Sequence, residues 1–279
     1  MAVVRSRKRP VAVSDVTSGG MNGHYVRTIG AITIDGQGVT KSQRPLVAAL
    51  ALMRPDGASM DALVDAVWPR QAPTTARNSI QNQIARLRHS FGRDLIVTSG
   101  DRYRLVATTD IDTINRVATT CDSLHPTPHD MQAIADVLDG WNGEPYADLP
   151  DHPRAQAERA RLHHVESRLV ETLALSRLAD PAGDREAAII DLTVRTATDP
   201  LHEQAWELLV AALHLSGRRT EALGAFTRFS DVLRQQVGAA PSRRFQHLRG
   251  IVDADQSIDP MAVLSLAGVF APLPLRATA

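Results

Sequence analysis

From Thr74 to Gly92 the chain runs Thr-Thr-Ala-Arg-Asn-Ser-Ile-Gln-Asn-Gln-Ile-Ala-Arg-Leu-Arg-His-Ser-Phe-Gly, and between Thr74 and Phe91 it holds no acidic residue. At helical spacing Ile80, Ile84, Leu87 and Phe91 fall within an arc of about 60°, a stripe narrow enough to face a core. The opposite side carries Asn78, Asn82, Ala85 and His89, flanked by Arg86; Arg77, Gln81 and Arg88 form a second polar edge. A solvated helix face ordinarily mixes Glu with Lys or Arg four residues apart. A face with arginines, carboxamides and no carboxylate instead suits a polyanion, with Ala85 leaving room for close approach.

The flanking sequence limits what this helix belongs to. Tyr25 to Thr40 reads as short strands, with Asp35-Gly36 as a hairpin signal. A helix over Pro45 to Met53 follows, then one over Met60 to Trp68 with Ser59 as its N-cap and Leu63, Val64 and Val67 inward. Pro73 leads to Thr74 or Thr75, either of which has the side chain of a cap. After Gly92, Asp94–Thr98 and Arg102–Val106 form two strands around Ser99-Gly100-Asp101. Alternation puts Tyr103 and Leu105 on one face while Arg102 and Arg104 reach outward from the other. Strands, three helices and a basic hairpin make a winged helix-turn-helix, the third helix placed for the major groove and the wing for the minor groove.

Charge is local rather than global. The 279 residues carry 31 basic and 31 acidic side chains, but Arg77 to Arg104 contains six arginines against two aspartates. No apolar run is long enough for a bilayer span, and the single cysteine, Cys121, rules out an intramolecular disulfide. Residues 1–23, with Arg5, Arg7, Lys8 and Arg9, read as a disordered basic arm without the apolar core of a secretion signal, so a cytoplasmic, nucleoid-associated protein without membrane partners is expected.

Beyond Val106 the sequence becomes helical. Asp110–Cys121 and Asp130–Gly140 are short helices; Trp141–Pro150 is an aromatic, Gly- and Pro-bearing loop whose Trp141 and Tyr146 suit packing; a long helix runs from Pro153 to Leu178 with Leu162, Val165, Leu169 and Leu173 inward. Gly183, Arg185, Ala188 and Leu192 recur as Gly217, Arg219, Ala222 and Phe226, the 34-residue period of a tetratricopeptide unit. Helices over Asp184–Ala197, Leu201–Leu215 and Arg218–Val237 are expected to stack, followed by a tail holding a short helix. The fold class is therefore mainly α with small β: a winged-helix domain over 24–107, an all-α tetratricopeptide-like domain over 108–254, and a tail over 255–279.

The run Gln43 to Leu50, the helix end Asp65-Ala66-Val67-Trp68, and Thr75-Ala76-Arg77-Asn78 followed by Ile84-Ala85-Arg86-Leu87-Arg88 resemble the OmpR-type winged helix and, more closely, the Streptomyces antibiotic regulatory proteins, or SARPs. The resemblance spans roughly Tyr25 to Val252 and implies a bacterial transcriptional activation domain behind the wing. It places Asn78, Gln81, Asn82 and Arg86 where bases or nearby phosphates are met, and Arg102 and Arg104 on the wing. Thr74, Thr75 and Arg77 sit at the helix start, suited to phosphate, and Arg93 at the backbone. The implied function is sequence-specific activation of an antibiotic-biosynthesis cluster, with protomers side by side or as a homodimer on promoter direct repeats, recruiting RNA polymerase holoenzyme. An interaction scaffold that uses the winged helix for protein contact is the alternative. The sequence lacks a phosphate-binding Gly-x4-Gly-Lys-Ser/Thr, a Gly-x-Ser-x-Gly elbow, a His-Glu-x-x-His motif and any Cys pair. No enzyme, cofactor or metal is expected.

Overall fold

The computed structural model describes residues 23–120, 127–180 and 182–255. The basic arm up to residue 22, Cys121, Pro126 and the tail from Gln256 onward lie outside the described residues. The chain divides into two units, one ending at Asp110 and the next beginning at Ile111.

In the first unit, β1 (His24–Arg27), β2 (Thr33–Ile34) and β3 (Gln37–Gly38) precede α1 (Arg44–Leu52), β4 (Ala58–Ser59), α2 (Met60–Val67), α3 (Ala76–Phe91), β5 (Ile96–Ser99), β6 (Arg102–Leu105) and β7 (Ala107–Thr109). One sheet has the order β3-β2-β1-β7, with β1 and β7 parallel. Asp35 and Gly36 turn β2 into β3 with φ of 50° and 77°, the left-handed pair that a two-residue hairpin needs. Asp110 anchors this sheet: its carboxylate accepts from the backbone N–H of Thr28 and of Ile29, each at 2.8 Å, and from the Thr28 hydroxyl at 2.8 Å. That satisfies the polar groups of a fully buried threonine. β7 was not anticipated, because Ala107-Thr-Thr is too short to show a period; pairing with β1 makes it a strand.

The second sheet, β4-β6-β5, is the wing together with a strand that has no sequence signal of its own. β4 pairs Ala58 with Tyr103, and Gly57 permits it: a Cβ there would stand 2.6 Å from the Tyr103 carbonyl oxygen, and its φ is +74°. Ser59 caps α2 as expected, its hydroxyl accepting from the Ala62 N–H at 3.3 Å.

α1 is buried along Leu46–Leu52 and packs against α2 and β6, and Val26, Ile29, Ile32, Ile34, Leu63, Ile80, Ile84, Leu87, Ile96 and Leu105 are buried in the same unit. Two details differ from expectation. In α2, Leu63 and Ala66 are buried, while Val64 and Val67 are only half-buried, because the small Ala66 lies one turn beyond Leu63 on the side facing inward. At α3, Thr75 occupies the N-cap position, yet neither it nor Thr74 caps through its side chain; its φ and ψ of −91° and 8° are not the extended geometry that capping needs.

The second unit comprises α4 (Asp110–Thr120, from its second residue), α5 (Pro128–Gly140), α6 (Pro153–Ala179), α7 (Arg185–Thr198), α8 (Glu203–Leu215), α9 (Arg219–Val237) and α10 (Arg243–Asp253). α5 starts at Pro128 rather than Asp130, because Thr127 and Asp130 form a reciprocal capping box around it. Trp141 is half-buried and Tyr146 buried in the following loop, which Arg159 secures by donating to the carbonyls of Pro145 (3.0 Å), Tyr146 (3.2 Å) and Leu149 (3.2 Å). Leu162, Val165, Leu169 and Leu173 are buried, as the α6 stripe required, and His163 and His164 are exposed.

The repeat is realised in three dimensions. Ala188 and Ala222 are fully buried where helices approach, and Leu192 and Phe226 fill the grooves beside them. Arg185 donates to the Leu215 carbonyl (3.4 Å) and Arg219 to that of Val252 (2.9 Å), so each repeat arginine satisfies a carbonyl near the end of a following helix. α10 was missed, since its stripe is only Phe245, Leu248 and Val252 and Gly250 interrupts it. It forms by docking Phe245 between Phe226 (4.8 Å between ring centroids) and Phe229 (5.4 Å). Among these helices Glu171 of α6 is buried, 3.2 Å from Nδ1 of His202, the residue that enters α8. Burial pushes Glu171 up to about 7, against the pull of Arg195 and Arg168, and pushes His202 down.

Candidate nucleic-acid interface

The apolar stripe of α3 fixes which way its other side chains face. With Ala76, Ile80, Ile84 and Leu87 inside, Arg77, Asn78, Gln81, Asn82, Ala85, Arg86 and His89 are exposed, and Thr74 and Thr75 are exposed at its entry. Asn78, Asn82 and Arg86 follow one another at four-residue steps along one side, with Ala85 between them as a low point on the surface.

β5 and β6 turn at Gly100-Asp101, with Ser99 opposite Arg102. Leu105 is buried and Tyr103 half-buried on one face, and Arg102 and Arg104 are exposed on the other. Between this turn, the outer edge of α3 and the start of α2 lies a shallow cleft of about 180 Å³ bordered by Met60, Arg77, Gln81, Thr98, Asp101 and Tyr103.

The arginines that sequence reading grouped together are in three different states. Arg86, Arg93 and Arg104 are exposed and make no hydrogen bond or ion pair with any described residue. Arg102 is exposed but tethered: its Nε donates to the Asp56 carbonyl at 3.1 Å and its Nη2 to that of Gly57 at 2.6 Å, so it does not reach outward as alternation suggested. Arg88 is half-buried and crosses from α3 to the wing, donating to the Ile96 carbonyl (2.7 Å) and the Thr98 hydroxyl (2.9 Å). Arg77 pairs with Asp61 of α2. The sequence marks Asp61 only as a first-turn carboxylate of α2 and shows neither its pairing with Arg77 nor the tethering role of Arg88, whose one signal is its place next to Leu87 at the edge of the apolar stripe.

Beside the turn after α3, one histidine stands between two carboxylates. His24 Nδ1 lies 2.7 Å from Asp35 and Nε2 lies 3.5 Å from Asp94, two residues past Gly92. Burial disfavours its protonated form, but the hydrogen bond and charge of Asp35, with Asp94, outweigh this and hold His24 above its ordinary value. Among the described residues no group of three or more His, Cys, Asp or Glu is arranged to hold a metal ion, and no helix is long and apolar enough to cross a membrane.

A family model described as bacterial transcriptional activator domain matches residues 109–252, just over half of the chain. Regulatory protein DnrI of Streptomyces peucetius is 29% identical over 244 residues, covering 79% of the chain and 87% of DnrI. Regulatory protein AfsR of Streptomyces griseus is 31% identical over 223 residues, covering 77% of the chain. The chain belongs to the SARP family. This SARP spans only 23% of the length of that AfsR. The structure of Mycobacterium tuberculosis EmbR in complex with low affinity phosphopeptide shares the fold, with a TM-score of 0.69 at 24% identity, covering 88% of this chain and 69% of EmbR. These relatives carry regulatory names.

Proposed function

We propose that the chain is a sequence-specific DNA-binding transcriptional activator of a biosynthetic gene cluster, in which α3 enters the major groove and the wing lies along the backbone beside it. The observation that carries this reading is the set of exposed cations without a partner among the described residues, Arg86, Arg93 and Arg104, around an α3 face that holds carboxamides and no carboxylate. Asn78, Gln81, Asn82 and Arg86 are the base-reading set, carboxamides matching adenine edges and a guanidinium matching guanine. Thr74, Thr75, Arg93 and Arg104 meet phosphate, and Arg102 braces the wing from which Arg104 projects. Two protomers side by side on direct repeats present their helical units to RNA polymerase holoenzyme, and this takes place on nucleoid DNA. Membership of the SARP family supports the assignment.

Fluorescence anisotropy with a promoter fragment across a salt series tests it. The logarithm of affinity falls steeply with the logarithm of salt, and Arg93→Ala and Arg104→Ala each reduce the slope by about 1. Arg86→Ala weakens promoter binding; unchanged binding in that variant overturns the assignment of the reading face. Salt-insensitive binding, or none to any promoter fragment, overturns the function and favours a protein scaffold.

A further inference from the structure

Asp61 stands in the first turn of α2 and pairs with Arg77 in the first turn of α3, with side chains 74% and 64% exposed. So exposed a pair contributes little to stability. It also sets a negative charge at the rim of a surface that otherwise favours polyanions. Stability therefore gives little reason for it, and recognition gives one.

The contact runs from Arg77 Nη2 to a single Asp61 oxygen, which leaves Nε and Nη1 unused in that contact. Arg77 and Gln81 border the cleft together with Thr98 and Asp101. Nη2 carries one hydrogen on each two-donor edge of the guanidinium, so this contact occupies one edge and leaves the other, a fork that matches O6 and N7 of guanine. The same carboxylate repels phosphate and offsets the charge Arg77 would bring to generic backbone contact. We infer that Asp61 is a specificity-determining residue: it holds Arg77 as a reader of one guanine and withholds it from phosphate. This rests on the proposed DNA-binding function and deepens it.

The test is a set of binding curves for the full chain with its promoter fragment, with the same fragment substituted at each guanine in turn, and with random-sequence DNA, each over a salt series. In the wild type, one guanine substitution costs about tenfold in affinity. In Asp61→Asn that discrimination falls several-fold, random DNA is bound more tightly, and the salt slope steepens by about 1 as Arg77 turns to phosphate. Asp61→Glu retains wild-type behaviour. In the Arg77→Ala background, Asp61→Asn changes neither discrimination nor slope. Unchanged behaviour of Asp61→Asn in a chain that binds DNA overturns this inference alone, as does an equal effect with and without Arg77, which reduces Asp61 to a diffuse charge. A wild type that binds no DNA overturns this inference together with the function beneath it.

Discussion

At the scale of single residues, the arginines around α3 differ in what already holds them. Arg88 and Arg102 spend their donors on backbone carbonyls and a threonine hydroxyl, so removing either leaves acceptors to water at a junction between elements. Arg88→Ala and Arg102→Ala are therefore expected to lower the thermal midpoint by a few degrees, as a loss of about 1 kcal/mol would. Arg93→Ala and Arg104→Ala leave it within error, since exposed side chains without a partner among the described residues change stability by less than about 0.5 kcal/mol. Thermal melts of the four variants check the division. Titration gives a second residue-level expectation. Glu171 holds its proton more tightly folded than unfolded, so its contribution to stability is present below the usual carboxylate range and is lost as pH rises towards about 7. Glu171→Gln should flatten that decline in midpoint against pH. His202, pushed down, acts in the opposite sense, so the difference curve between wild type and Glu171→Gln is the quantity to follow. His24, raised chiefly against its own burial by Asp35 and Asp94, stabilises below the ordinary histidine value, and that contribution is lost as pH rises through its folded value; His24→Asn removes this step.

At the scale of elements, the two repeat glycines hold equivalent positions and work differently. A Cβ at Gly183 would meet the Arg177 carbonyl oxygen at 2.0 Å, so the α6–α7 turn is closed by contact. Gly217 has nothing within 4 Å but a φ of +73°, so the α8–α9 turn is set by backbone conformation. Gly183→Ala should destabilise by several kcal/mol and Gly217→Ala by about 1 kcal/mol, read by urea denaturation. The same contrast explains what sequence makes visible. A strong stripe such as Ile80, Ile84 and Leu87 declares an element by itself, and Ala188 with Ala222 declares a repeat. β4, β7 and α10 carry two or three informative residues each and exist because a partner strand or an aromatic cluster receives them. Side-chain direction is equally local: alternation placed Arg102 on the outer face, but the carbonyls of Asp56 and Gly57, brought there by β4, decided where its guanidinium went.

At the scale of the molecule, two units carry two kinds of information. The match to the bacterial transcriptional activator domain begins at residue 109 and ends at residue 252, so it covers the helical unit, whereas the proposed DNA-reading surface lies wholly in the unit before it. The order of elements and the basic hairpin made the winged helix legible from sequence. The division of its arginines into free, tethered and paired was not legible, since each state is set by a partner distant in the chain. Nuclease footprinting of the full chain across the promoters beside its gene tests the central claim most directly. The account predicts two protected stretches of repeated sequence in the same orientation, about one helical turn or a multiple of it apart, with protection lost in Arg86→Ala. Absence of protection on any promoter at low salt, or protection that Arg86→Ala leaves intact, would contradict it.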